Sequence, residues 1–196
     1  MQIDYYYSLM SPWAYLGAQR FYDLQKKYNF AIKHYPLDIL KLFNLSGGLP
    51  LAKRAEQRKA YRMMELQRWQ KKLNLPINFT PKFFPPSDVV RASCLILFVK
   101  DQNMKNLLSL NLLKCVWVKE KDIGDINTLV EVCNNLGLNG NELLEKSQDC
   151  KNTYYSLAET AVKSNVFGSP SYVLDDEVFW GQDRLDLLEE KIIENI

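Results

Sequence analysis

Hydrophobic and polar positions change period in a definite order along this chain. Gln2–Ser8 is a short run of β-formers and predicts a strand; Pro12–Tyr28 is amphipathic at helical spacing and predicts a helix. In Phe30–Tyr35, Phe30, Ile32 and Tyr35 stand among polar residues, which predicts a second strand ended by Pro36. Strand, helix and strand at this spacing make a βαβ unit, naturally parallel and right-handed. Lys41–Pro50 carries Asn44, Ser46, Gly47 and Gly48 and predicts a loop. Helical patterns then follow at Leu51–Leu73, Val89–Lys100 (with Ser87 and Asp88 as caps), Met104–Glu120, Asp125–Leu136, Asn141–Glu145 and Thr153–Asn165. Pro76, Pro81, Pro85 and Pro86 punctuate the long connection after the first of these. The character changes again at Ser171–Leu174 and Glu177–Trp180, which predict a hairpin turning at Asp175-Asp176. Gln182–Ile196 predicts a closing helix, with Leu185, Leu187, Leu188, Ile192 and Ile193 on its apolar side.

The order is therefore βαβ, a helical block, then ββα. That order predicts an α/β protein with a thioredoxin-like core interrupted by an all-helical insertion. The core spans residues 1–44 and 166–196, and the helical domain spans 45–165.

A chain of 196 residues is long enough for one substantial domain or a domain with a large insertion. With 47% hydrophobic and 24% charged residues it reads as soluble and globular. A net charge of +2 argues against nucleic acid as a partner of the whole chain. No apolar run reaches membrane-spanning length. Met1-Gln2-Ile3-Asp4 lacks a signal-peptide layout, so a cytoplasmic location is expected. Leu51–Leu73 is rich in Lys53, Arg54, Arg58, Lys59, Arg62, Arg68, Lys71 and Lys72, opposed by Glu56 and Glu65. It reads as a solvated helix face with one or two cations turned toward an anionic ligand.

Candidate chemistry centres on Ser11-Pro12-Trp13. Ser11 is a helix N-cap type and Pro12 suits the first helical position, which sets one hydroxyl at the helix's positive end, with Tyr15 four positions later. Thioredoxin-type redox proteins place a reactive cysteine there. None of Cys94, Cys115, Cys133 and Cys150 lies near this turn or forms a CxxC pair, so dithiol exchange has no cysteine to use. A serine instead points to a site that handles a thiol brought from outside. His34 is the single histidine, which excludes a multi-histidine metal site; it reads as structural, within a strand. Of Tyr5, Tyr6, Tyr7, Trp13 and Tyr15, about half are expected to pack inward and the rest to line a pocket.

Two further clusters carry a resemblance. Val166-Phe167-Gly168-Ser169-Pro170-Ser171 precedes the hairpin, and Phe179-Trp180-Gly181-Gln182-Asp183-Arg184-Leu185 follows it. Together with Tyr7-Ser8 and Ser11-Pro12-Trp13-Ala14-Tyr15-Leu16-Gly17, they resemble the 2-hydroxychromene-2-carboxylate isomerase family. These are glutathione-dependent enzymes related to kappa-class glutathione transferases and to the DsbA fold. Lys53, Leu66-Gln67-Arg68-Trp69, Phe84-Pro85 and Arg91 agree more weakly, and the matches keep their order across the chain.

The resemblance implies a cis Ser169-Pro170 bond and the following roles. The Ser11 hydroxyl donates to the glutathione sulfur and favours thiolate. The Ser169 backbone pairs with the cysteinyl part of glutathione. Trp180, Gly181, Gln182 and Asp183 form the γ-glutamyl end, where Asp183 attracts the ammonium. Lys53 lies near the glycyl carboxylate or the acidic substrate, Asn44 belongs to the glutathione loop, and Lys41, Trp13 and Phe84 face the substrate. The loop Asn44-Leu45-Ser46-Gly47-Gly48-Leu49-Pro50 departs from the family's proline-rich pattern. Implied with these are an anionic aromatic substrate, aromatic-compound catabolism and a homodimer. The alternatives are a kappa-like transferase or peroxidase, and a non-catalytic peptide-binding module on the same scaffold.

Overall fold

The computed structural model describes Met1–Ile196. Strands β1 (Gln2–Tyr7), β2 (Ala31–Pro36), β3 (Ser171–Leu174) and β4 (Glu177–Trp180) form one sheet in the order β2-β1-β3-β4. β1 and β2 run parallel, with Gln2 opposite Ala31 and Tyr7 opposite Pro36. β3 is antiparallel to β1, with Tyr6 opposite Ser171, and pairs antiparallel with β4. Helix α1 (Pro12–Tyr28) joins β1 to β2, and α9 (Leu185–Glu194) closes the chain. Between β2 and β3 lie α2 (Ile39–Ser46), α3 (Glu56–Leu73), α4 (Val90–Phe98), α5 (Gln102–Trp117), α6 (Ile126–Asn135), α7 (Gly140–Lys146) and α8 (Lys151–Lys163). This is a thioredoxin-like core with helices inserted between β2 and β3. No helix is long and apolar enough to cross a membrane.

The sheet is covered on both sides, and that decides where its tyrosines go. Tyr5, Tyr6 and Tyr7 are each 0% exposed, so none lines an open pocket, contrary to the alternation expected of a half-buried strand. On one face Tyr5 stacks on Tyr7 at 4.2 Å and on Tyr172 at 5.2 Å, and meets Phe21 of α1 at 4.9 Å. On the other, Tyr6 stacks on Tyr35 at 4.3 Å and shares a cluster with Leu42 of α2 and Ala158 and Ala161 of α8. Tyr15 is buried too, its hydroxyl donating to the Pro76 carbonyl at 2.6 Å. One buried cluster runs from Tyr5 and Phe21 through Leu112 and Trp117 of α5 to Leu129 of α6, so the inserted helices pack on the sheet side without a break. All four cysteines are buried and free, packing as small hydrophobes.

Three boundaries differ from the sequence reading. Most of the expected loop Lys41–Pro50 is helix α2. Asp38 caps it by accepting from the Leu40 and Lys41 N–H groups at 2.9 and 3.1 Å, and Ser46 Oγ folds back to the Leu42 carbonyl at 2.8 Å. Asn44 and Ser46 thus sit within a helix that breaks only at Gly47, whose φ of 78° is left-handed. Leu51–Leu73 begins as a separate 3₁₀ turn over Leu51–Lys53, and the α-helix starts at Glu56. The closing helix likewise begins as a 3₁₀ turn, Gln182–Arg184, and Leu187 and Ile193 point to solvent.

His34 lies buried in the aromatic layer and behaves as the structural residue expected of it. Its Nε2 faces Asn106 Oδ1 at 2.9 Å and its Nδ1 faces the Tyr7 hydroxyl at 3.1 Å. Gln102 Nε2 also donates to Asn106 Oδ1 at 3.0 Å, so Oδ1 is an acceptor; His34 therefore donates from Nε2 and accepts Tyr7 O–H at Nδ1. This neutral form is held because burial, reinforced by the Lys105 charge and opposed by the Asn106 bond, lowers the imidazole pKa to about 3. The unfolded chain takes up a proton near pH 6.5 and the native state does not, so stability falls as pH drops below 6.5. Between pH 6.5 and 5 the expected loss is about 2 kcal/mol. Urea unfolding across that window measures it, and His34→Gln should flatten the dependence.

Candidate active site

Ser11 is the N-cap of α1. Its Oγ accepts from the Ala14 N–H at 3.2 Å and donates to the Ser169 carbonyl at 3.2 Å. Pro12 occupies the first helical position, where a missing N–H costs nothing. No acidic side chain lies in the first turn, so the positive end of this 17-residue helix is left unneutralised.

The segment before β3 is locked to the same place. The Ser169-Pro170 bond is cis, and Ser169 Oγ accepts from the Ser8 N–H at 2.9 Å. The Ser169 N–H has no partner, and its carbonyl is held only by the Ser11 hydroxyl. A backbone donor and acceptor are thus both available beside a helix N-terminus.

The turn after β4 rests on α1. Gly181 adopts φ 107° and ψ 149°, a region essentially confined to glycine, and donates its N–H to the Pro170 carbonyl at 2.9 Å. Gly17 lets the turn approach, because a Cβ there would stand 2.8 Å from Gln182 Cβ and 2.9 Å from the Tyr172 hydroxyl. Arg20, one turn further along α1, donates to the Gln182 carbonyl at 3.1 Å and to its Oε1 at 3.0 Å, and pairs with Asp186 at 3.2 Å. Arginine can only donate, so the Gln182 amide is oriented with its NH₂ away from Arg20 and unpartnered. Asp183 is exposed, with Arg184 at 3.4 Å, and Trp180 stands beside it, 52% exposed and edge-on to Phe167.

The structure therefore brings Ser11 and Ser169 together at the N-terminus of α1, and seats the Gly181–Gln182 turn on the first half of the same helix, at Gly17 and Arg20. The other sequence-predicted residues are engaged elsewhere or turned outward. The Lys41 ammonium bonds the Tyr155 carbonyl and Glu159 of α8, both at 2.8 Å. Asn44 is exposed on α2, and Lys53 is exposed on its 3₁₀ turn and forms no ion pair. Trp13 is half-buried against the main core. Phe84 precedes a second cis proline, Pro85, and packs at 5.0 Å on Trp117. Arg20 escapes sequence reading: its partner Gln182 is 162 positions away, and no local pattern marks the pair.

No protein thiol is suited to nucleophilic work here, because burial pushes Cys94, Cys115, Cys133 and Cys150 all upward. Arg20→Met keeps the side chain's length and removes its bonds. The expected cost is about 1.5–3 kcal/mol in urea unfolding, the usual worth of a charged hydrogen bond to a buried partner.

A family model, the DSBA-like thioredoxin domain, matches residues 2–193. The 2-hydroxychromene-2-carboxylate isomerase of Sphingobium xenophagum is 30% identical to this chain over 98% of each. Glutathione S-transferase kappa 1 of Caenorhabditis elegans is 24% identical, over 96% of this chain and 89% of that one. A solved 2-hydroxychromene-2-carboxylate isomerase superposes with a TM-score of 0.84, covering 99% of this chain and 95% of its own at 23% identity. With a serine-capped helix set against a cis-proline turn and relatives that match it from end to end, the chain belongs to the DSBA-like thioredoxin domain family and to the family of 2-hydroxychromene-2-carboxylate isomerase.

Proposed function

We propose that this protein is a glutathione-dependent isomerase acting on an anionic, ring-opening arylpyruvate of the 2-hydroxychromene-2-carboxylate type. The observation that carries the reading is the Ser11 hydroxyl at the N-terminus of α1, 3.2 Å from the carbonyl of Ser169. Its support from relatives is the name shared by the isomerases above. The residues present fit glutathione. Ser169 offers a free N–H and a carbonyl, as needed for the backbone of a cysteinyl residue, in the manner of an added strand. The unpartnered NH₂ of Gln182 and the carboxylate of Asp183 suit a γ-glutamyl carboxylate and ammonium respectively.

Glutathione held by Ser11, Ser169, Gln182 and Asp183 would supply the nucleophile, a thiolate able to add reversibly to the substrate's conjugated double bond and so allow rotation about it. What the chain does is set the state of that sulfur. The Ser11 hydroxyl now donates to the Ser169 carbonyl. A ligand N–H that takes over this carbonyl frees the hydroxyl to donate outward. A hydrogen bond to a charged acceptor is worth about 1.5–3 kcal/mol. The uncompensated end of α1 adds about 0.3–1 kcal/mol, up to ~2 when partly buried. At about 1.4 kcal/mol per pKa unit, the two together favour thiolate by one unit or more.

A kappa-like transferase would use the same groups, and the match to a glutathione S-transferase favours it as the second reading. Stoichiometry separates them, since isomerisation leaves glutathione unconsumed and transfer consumes it.

Calorimetric titration of reduced glutathione tests the proposal. Saturable binding is expected, at least tenfold weaker in Asp183→Ala, in line with the loss of a charge-assisted bond of about 1.5–3 kcal/mol. No binding at millimolar glutathione overturns it. Ser11→Ala should lower kcat/KM for arylpyruvate isomerisation by about 10–100-fold, the kinetic equivalent of that same bond energy.

A further inference from the structure

A cavity of about 540 Å³ opens where α4 meets the turn between α7 and α8, with the start of α6 at its edge. That volume lies within the ~300–1,000 Å³ usual for small-molecule sites. Its walls come from the inserted helices alone, and it shares no residue with the Ser11 site. Short side chains leave the room: Cys94 of α4 and Ser147 ahead of α8 both line it and are 2% and 6% exposed. Val90, Leu144 and Tyr155 add apolar wall. Ile126, at the first position of α6, also lines it and is 48% exposed, an uncovered apolar side chain at the mouth.

The polar lining is rich in donors that the chain does not use. Arg91 has one acidic neighbour, Asp88, at 3.6 Å, too far for a hydrogen bond. Asp88 is committed elsewhere, its Oδ1 accepting from the Val90 N–H at 2.8 Å at the start of α4. Lys151 lines the opposite wall, is exposed and forms no ion pair. It also opens α8, whose first turn holds no acid to offset the helix's positive end. The Gln148 amide lies beside it in the lining, without a partner in the chain. The lining thus sets two cations against one carboxylate, and that carboxylate is already bonded.

We infer that this cavity is a second ligand site, which binds an aromatic carboxylic acid with its ring against Val90, Leu144 and Ile126 and its carboxylate on Arg91 and Lys151. Both halves of the lining are needed for that choice. An inorganic anion would leave the apolar wall uncovered, and a neutral hydrophobe would leave the cations unmet. Arg91 is the better anchor of the two, because a guanidinium fork pairs bidentately with a carboxylate. The inference stands on the cavity and is independent of glutathione binding at Ser11.

Calorimetric titration with 2-naphthoate tests it without glutathione or turnover. Wild type should bind 2-naphthoate saturably. Neutral 2-naphthamide, which lacks the charge, and acetate, which lacks the ring, should each bind at least tenfold more weakly. Arg91→Gln and Lys151→Gln should each weaken naphthoate at least threefold, as suits partly exposed cations, and the double variant at least tenfold. Both side chains reach solvent, so the variants should melt with wild type. Lys163→Gln removes the same charge from the far end of α8 and should leave affinity unchanged. No saturable naphthoate binding by wild type overturns the inference, as does full affinity in the double variant, which would place the ligand elsewhere. Equal weakening by Lys163→Gln also overturns it, because it would mark diffuse attraction to a basic surface. Acetate binding as tightly as naphthoate would overturn the role of the apolar wall and with it the ligand class.

Discussion

The Ser11 hydroxyl joins two parts of the chain that are 158 positions apart in sequence. It accepts from the first turn of α1 and donates to the peptide before cis-Pro170, and so couples the helix end to the start of β3. Ser8 and Ser169 make the reciprocal tie, backbone N–H to side-chain oxygen. Every other part of the site is placed from this junction. β3 starts from it, β4 pairs with β3, and Gly181 returns to the Pro170 carbonyl. Gly17 and Arg20 then seat the turn on the helix that Ser11 caps.

The sheet beneath supplies the rigidity such a junction needs. Stacked tyrosines fill both faces of β1, and the neutral His34 bridges Tyr7 to Asn106 of α5. Gln102 of the same helix reaches the Ile32 N–H of edge strand β2 at 3.2 Å, so an inserted helix helps cover that edge. The layer is not fully satisfied: the hydroxyls of Tyr5 and Tyr172 and the Nδ2 of Asn106 are buried without partners. Each such group costs about 1–3 kcal/mol of desolvation. The stacking and apolar burial of the same rings offset that cost.

Local signals were legible in the sequence, and long-range ones were not. The βαβ unit, the hairpin and the Ser11 cap each depend on residues within a few positions of one another, and they stand where the pattern put them. Asn44 and Ser46 were misleading, because their turn preference yields to the Asp38 cap and the burial of Leu42. The tyrosine run misled for another reason. Alternation between core and pocket presumes one open face, and the inserted α2 and α8 close that face. The Arg20–Gln182 contact depends on what the fold brings near, which no spacing reveals. Of the residues that family resemblance implies, Ser11 and Ser169 meet at the end of α1, whereas the ammonium of Lys41 bonds α8.

Without a cysteine at its helix terminus, this thioredoxin-like scaffold carries a hydroxyl there instead, and the proposed function gives that hydroxyl another molecule's sulfur to condition. That role is open to direct measurement. Thiolate absorbance of protein-bound glutathione, followed against pH, gives the thiol pKa in place. The account predicts a value at least one unit below the ordinary thiol value of about 8.5, rising back toward it in Ser11→Ala. A bound thiol that titrates near 8.5 in both proteins would contradict it.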